Sequence, residues 1–278
     1  MGERKLEKHI EVQRSIIKKY RKSIWNNFVG AVQEYELIKK NDRIAVCISG
    51  GKDSVLMACC LRQLQLHSQV PFELVYLVMD PGYAPENREL IEHNAKLLNL
   101  DVNIFESDIF EVTDRVGGSP CYLCARMRRG CLYSKAKSLG CNKIALGHHF
   151  NDVIETVLMS MMYSSEIKTM LPKLHSTNFK GMELIRPLYK VKEKDIIAWA
   201  EYNGLKFLQC ACKMTAKNAD IELTSKRKEI KQLIADIKKQ NPDADDNIFR
   251  SLHNVNMATL PCWRDCDSGE IHTFLERY

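Results

Sequence analysis

Two groups of residues in this 278-residue chain have the types and spacing to do chemistry. The first is Ser49-Gly50-Gly51-Lys52-Asp53-Ser54, which follows the apolar run Arg43 to Ile48 and opens the helix-like run Val55 to Leu66. A glycine pair at a strand-to-helix turn lets backbone N–H groups approach a phosphate that any Cβ would hold off. The helix N-terminus and Lys52 add positive potential. The pattern is not a Walker A loop, because the first glycine of GxxxxGK[ST] would fall on Val46. A tight βα loop would use the same glycines, so the pair alone does not assign a function.

The second group is Cys121-Tyr-Leu-Cys124 with Cys210-Ala-Cys212. A CxxC at a loop-to-helix start brings two thiolates within reach of one centre, which suits zinc, a redox dithiol or an iron–sulfur cluster equally. Cys131 lies seven residues beyond Cys124, about 10 Å along a helix axis, too far to share that centre. Cys47, Cys59, Cys60 and Cys141 sit in apolar runs and read as packed, inert thiols. Cys262 and Cys266 read as free thiols. Directly after Cys124 come Arg126, Arg128, Arg129, Lys135 and Lys137, with no acid among them. They form either a solvated helix face or a footprint for a phosphate backbone.

The elements that must position these groups repeat as strand, turn and helix. Apolar strands are expected at Arg43–Ile48, Phe72–Met79, Val102–Phe105 and Lys143–Gly147, with helices at Glu86–Leu98, after Cys121 and at Val153–Tyr163. Strands this apolar, separated by helices, predict a parallel sheet covered on both faces. Ligands then sit beyond the carboxyl ends of the strands, where the glycine loop, Asp80 and Gly147-His148 converge. Asp80 opens the turn Asp80-Pro-Gly-Tyr-Ala-Pro85 and either orders it or reaches a ligand. Asn151 or Asp152 would cap the helix that follows. Further on, residues 172–181 read as irregular. Met182–Arg186 reads as a short strand, Lys192–Tyr202 as a helix and Leu205–Gln209 as an edge strand. A charged helix at 220–240 and a short one from Ile248 to Val255 complete the chain. The expected divisions are a basic helical extension at 1–40, a nucleotide and cysteine domain at 41–215, and a helical extension at 216–278. Within the first, Arg14, Lys18, Lys19, Arg21 and Lys22 form a solvated face or a basic arm for RNA phosphates.

A hydrophobic fraction of 45% and a charged fraction of 27% exclude large-scale disorder. A net charge of +6 leans toward a polyanionic partner. No apolar run approaches the roughly 18 residues of a membrane span, and the start has no hydrophobic signal core. A cytoplasmic protein is expected, in which eleven cysteines do not form a disulfide framework.

The glycine loop resembles the PP-loop of the N-type ATP pyrophosphatases. Taken with Cys121-Tyr-Leu-Cys-Ala-Arg-Met-Arg-Arg-Gly130, Ala145-Leu-Gly-His-His149 with Asp152, Ile185-Arg-Pro-Leu188, Lys192-Glu-Lys-Asp-Ile196 and Cys210, the chain resembles the TtcA-type tRNA 2-thiocytidine synthetases from about Arg21 to Val255. The resemblance implies an α/β, Rossmann-like (HUP-like) PP-loop adenine-nucleotide α-hydrolase fold. It implies ATP with Mg²⁺, tRNA as substrate, and a [4Fe–4S] cluster on Cys121, Cys124 and Cys210. The partners it implies are tRNA and a sulfur donor, either sulfide or the persulfide of a cysteine desulfurase, with a homodimer left open and no membrane. Two departures stand out: CxC at Cys210–Cys212 where the family carries CxxC, and Asn151-Asp152 where it carries two aspartates.

On this reading Ser49 to Ser54, Asp80, Gly147 and His148 bind the nucleotide. Lys52 counters charge on the transferring group, Asp53 or Asp152 holds Mg²⁺ or positions a base, and Arg128 acts where related thiolases carry a cation. Three rivals stay open. They are a tRNA lysidine synthetase, a small-molecule PP-loop ligase, and a non-enzymatic zinc module built from Cys121, Cys124, Cys210 and Cys212.

Overall fold

The computed structural model describes residues 7–107, 120–208, 221–265 and 268–278, without the side chains of 120–126, 221–225 and 277. By its contacts the chain divides into two compact units, 1–230 and 231–278.

The first unit is built on a six-stranded sheet ordered β3-β2-β1-β4-β6-β5. Its strands are β1 (Arg43–Ile48), β2 (Glu73–Asp80), β3 (Val102–Glu106), β4 (Lys143–Ala145), β5 (Lys173–His175) and β6 (Glu183–Ile185). All pairs are parallel except β5 with β6. The side chains of β1 alternate between two cores, as a pleated strand covered on both faces requires. Ile44, Val46 and Ile48 join one cluster, and Ala45 and Cys47 join the other.

The first cluster takes in α1 (Lys8–Ile17), α2 (Asn26–Glu34), α3 (Lys52–His67) and α7 (Glu193–Tyr202). It also takes in Ile91 of α4 (Pro85–Leu97). Between α1 and α2 the chain makes a π-helical turn at Arg21–Trp25, and Ile24 and Phe28 carry the buried stripe of α1 onward. The second cluster holds Tyr133 and Ala136 of α5 (Pro120–Ser138). Helix α6 (Phe150–Ser164) follows β4.

Two elements differ from expectation. Leu205 to Leu208 form no strand; Leu205 is spent in the core, and the Leu208 N–H donates to the Gly50 carbonyl at 3.2 Å. The sixth strand is instead β5, inside a stretch that reads as irregular, paired antiparallel through Lys173, Leu174 and His175. The cap of α6 also differs: His149 is the N-cap and Asp152 is its partner at the third helical position.

The floor of the sheet is fixed by a buried cation. Lys143 meets Asp42 at 2.8 Å, Glu183 at 3.0 Å and the Leu37 carbonyl at 2.9 Å. A desolvated ammonium is tolerable only with such company. Helix α8 (Ile221–Gln240) contains the division between the units. Within the second unit, α9 (Ala244–Ser251) precedes a hairpin of β7 (Cys262–Arg264) and β8 (Ile271–Thr273), whose Trp263 and His272 rings stack at 5.4 Å. Among the described residues no helix is long and apolar enough to cross a membrane.

Candidate nucleotide and thiolation site

From β1 the chain runs outward through β2 to β3, then returns to place β4 on the other side of β1. This reversal creates a crevice between the loops after β1 and β4, where doubly wound sheets bind ligands. A cavity of about 300 Å³ lies there, within the size range of small-ligand pockets. Ser49, Asp53 and Ser54 line it from the first loop, Gly147 and His148 from the second, and Asp152 from α6. Met79 and Tyr83 line it from the end of β2, and Arg128 and Leu132 from α5.

The glycine loop is braced from within. Gly50 has φ +83°, a conformation that favours glycine, and a Cβ there would stand 2.7 Å from Leu208 and 2.8 Å from Ile91. Ser54 Oγ accepts from the Ser49 N–H at 3.1 Å and donates to the Gly51 carbonyl at 2.9 Å. Its hydroxyl is therefore committed to loop shape, and Gly51 is the N-cap of α3. Gly147 lets β4 end directly against this turn, since a Cβ would come within 2.9 Å of the Ser54 nitrogen.

Lys52 Nζ stands between two carboxylates, 3.2 Å from Asp53 Oδ1 and 3.3 Å from Glu193 Oε1. Glu193 is the first residue of α7, and its N–H donates to Asn151 Oδ1 at 2.9 Å. Asn151 thus anchors the helix carrying the partner of Lys52.

His149 stands between Asp53 and Asp152. Its Nδ1 accepts from the Asp152 N–H at 3.4 Å, and its Nε2 lies 3.8 Å from Asp53 Oδ1. Asp152 Oδ2 accepts from the His149 N–H at 2.9 Å, and Oδ1 accepts from Arg227 at 2.9 Å. Burial would raise the Asp152 carboxyl, but His149, Arg227 and the backbone donor hold it below its ordinary value. Arg227 also donates to the buried Glu155 at 2.7 Å. His148 is pushed down to about 4 by burial, with the Arg186 charge acting the same way. Its Nδ1 is buried without a hydrogen-bond partner and belongs to the cavity wall.

Asp80 is committed elsewhere. Its Oδ1 accepts from the Gly82 and Tyr83 N–H groups at 2.9 and 2.8 Å, and its Oδ2 meets Arg88 at 3.0 Å. It orders the turn that presents Tyr83 to the cavity.

Cys121 and Cys124 begin α5, the helix whose Arg128 and Leu132 line the cavity, and their side chains lie outside the described residues. Cys210, Cys212 and Cys266 also lie outside them; Leu208, two residues ahead of Cys210, is bound to the glycine loop. Cys47, Cys59, Cys60 and Cys141 are buried, with thiols raised by burial, Cys47 and Cys59 to about 12. Cys262 is a free, exposed thiol.

The structure therefore gathers Ser49, Asp53, Ser54, Arg128, Gly147, His148 and Asp152 on one cavity, with Lys52 beside it. Sequence reasoning missed His149, Glu193, Arg227 and Tyr83. The doubled histidine and the Lys192-Glu193 pair were visible in the motifs; Arg227, in a run of charges on α8, carried no signal.

A PP-loop domain matches residues 14–241. A tRNA-cytidine(32) 2-sulfurtransferase of Geobacter metallireducens is 36% identical over 246 residues, 87% of this chain and 93% of that protein. One from Nitrosospira multiformis is 36% identical over 236 residues, covering 83% and 76%. Among solved structures, the U34-tRNA thiolase NcsA from Methanococcus maripaludis, described with its [4Fe–4S] cluster, shares the fold. Its TM-score is 0.66 at 21% identity, over 88% of this chain and 82% of that one. The chain therefore belongs to the PP-loop domain family and, within it, to the TtcA-type tRNA 2-thiocytidine synthetases.

Proposed function

We propose that this protein thiolates tRNA at the expense of ATP, adenylating a pyrimidine carbonyl oxygen and exchanging it for sulfur. The observation that carries this reading is the shared cavity: the glycine loop and Arg128 of the cysteine-bearing helix line the same space. The relatives' naming as tRNA-cytidine(32) 2-sulfurtransferases supports a cytidine target.

A pyrimidine C2 oxygen is a poor leaving group, and esterified to AMP it becomes a good one. The N–H groups at the start of α3 receive the phosphates that depart as pyrophosphate. Lys52 supplies charge to the transferring phosphoryl group, with Asp53 and Glu193 holding it at the rim. Among the described residues no three metal-ligating side chains converge. Mg²⁺ would then take Asp53 or Asp152 together with phosphate oxygens, the usual pattern for this ion. Asp53 Oδ1 is buried and, among the described residues, has no partner beyond its ion pairs with Lys52 and His149, which fits that task. Arg128 steadies the anionic intermediate and leaving group within the cavity. His148, held neutral, offers a hydrogen-bonding nitrogen to the base without adding a charge.

The donor set fits a cluster: three thiolates are soft ligands for iron, and the described chain after Cys124 meets the cavity while that just ahead of Cys210 meets the glycine loop. Cys121, Cys124 and Cys210 would hold a [4Fe–4S] group, which would supply an iron site for the incoming sulfur. Sulfide would provide that sulfur directly, and a persulfide protein would provide it together with a thiol that is oxidised to the disulfide as the sulfur is released.

Protein prepared without oxygen, then incubated with ATP, Mg²⁺, sulfide and unmodified tRNA, is expected to yield AMP, pyrophosphate and a thiolated pyrimidine by nucleoside mass spectrometry. Cys121→Ala should lose iron and product together while still binding an ATP analogue. Zinc without acid-labile sulfide would favour the structural module instead.

A further inference from the structure

At the end of α7, Tyr202 is 56% exposed. Its ring is nonetheless held. Lys19 Nζ lies 3.5 Å from the ring centroid, and the Tyr20 ring meets it edge-on at 6.0 Å and 69°. Tyr20 is itself fixed, its hydroxyl donating to the Ala198 carbonyl at 2.8 Å. In the stretch that carries Lys19 and Tyr20, Arg14, Lys18, Lys19, Arg21 and Lys22 are all exposed, and none forms an ion pair among the described residues. The opposite side of the same stretch, Val12, Ile16, Ile24 and Phe28, is buried, so the cations have no alternative direction. Three acids stand nearby; Glu11, one turn before Arg14, is exposed and paired with Lys8 at 3.6 Å. Asp195 is half-buried and hydrogen-bonded to Ser23, and Glu201 is exposed, which leaves the surface positive.

Helix α7 joins this surface to the site. Its first residue, Glu193, meets Lys52, and Tyr202, nine residues on, lies about 14 Å along the axis.

We propose that Tyr202, Lys19 and the cations of residues 14–22 form a docking platform for tRNA outside the cavity. The cations take backbone phosphates, and the tyrosine ring stacks an unpaired base. Aromatic faces bordered by basic side chains are how single-stranded RNA is held without sequence readout. The lysine-to-ring contact, weak at an exposed position, yields when Lys19 turns to a phosphate. The inference deepens the thiolase reading and rests on it.

The test is binding of an unmodified tRNA transcript to anaerobically prepared full-length protein across a salt series, with affinity for an ATP analogue measured on the same samples as a check of fold. Tyr202→Ala is expected to weaken tRNA binding about fivefold or more with the salt slope unchanged, and Tyr202→Phe to bind as the parent. The triple variant Lys18→Ala, Arg21→Ala, Lys22→Ala is expected to weaken binding at least tenfold and to flatten the log–log salt slope by about two. If the parent binds tRNA and these variants match it in affinity and slope, the platform is overturned and the thiolase reading stands. If the parent binds no tRNA, both fall.

Discussion

A methyl carbon on Gly147 would stand 2.9 Å from the backbone nitrogen of Ser54 and 3.1 Å from the carbonyl carbon of Asp53. Strand end and phosphate turn are thus in contact backbone to backbone. Gly147→Ala must part them, because neither neighbour is a side chain that can rotate away. The variant is expected to bind an ATP analogue at least tenfold more weakly by calorimetry, at a stability cost of about 1–3 kcal/mol. Parent-like nucleotide affinity would show that this approach does not shape the phosphate site.

Lys52 is held by Asp53 and Glu193 rather than by the protein interior. Lys52→Met should leave the melting temperature within a few degrees of the parent and lower tRNA-dependent pyrophosphate release by roughly 10²- to 10³-fold, the usual loss for one group that stabilises transition-state charge. Glu193→Gln, which keeps the shape and removes one tether, should cost far less.

His148 titrates near 4 in the fold and near 6.5 in the unfolded chain. Between those values the unfolded state binds the extra proton, so stability rises with pH across the window. The contribution is complete above about pH 6.5 and is lost as pH falls toward 4. Urea unfolding at pH 7.5 and 5.0 should show a fall for the parent that His148→Gln reduces. An equal fall in both would mean that the imidazole is solvated in solution.

Arg227 serves Asp152 and the buried Glu155 together. Arg227→Ala withdraws its charge from a carboxylate with almost no access to water, at a cost of about 2–3 kcal/mol. The double variant with Glu155→Gln should recover much of that loss, because the buried charge goes with its partner. Additive melting-temperature losses would show that the two residues act separately.

The sheet was readable from sequence because its central strands are continuous apolar runs, such as Ile44–Ile48, flanked by helices with clear periodicity. The antiparallel strand at Lys173–His175 was not readable. It is three residues long and mostly exposed, and it is held by backbone pairing with β6 rather than by its own apolar pattern. Leu205–Leu208 mimicked a strand because Leu205, Phe207 and Leu208 are apolar for a different reason: they pack against the core and the glycine loop. The phosphate turn was legible because glycine there answers a local backbone demand. Asp80 illustrates the opposite case, since whether a carboxylate faces a ligand or its own turn depends on two N–H groups and Arg88, which only the fold supplies. Arg227 sits 75 residues from Asp152, beyond the reach of any spacing argument.

Four of the eleven cysteines, Cys47, Cys59, Cys60 and Cys141, are buried, and each thiol is shifted away from ionisation. Alkylation proceeds through the thiolate, so these four are chemically silent in the folded protein. The chain therefore carries its own internal blank. Brief labelling of native protein reports only on the other cysteines, and the difference from a fully denatured sample counts the packed set. A change in native labelling when iron is added or removed can then be assigned to cysteines outside the core without first deleting any from it.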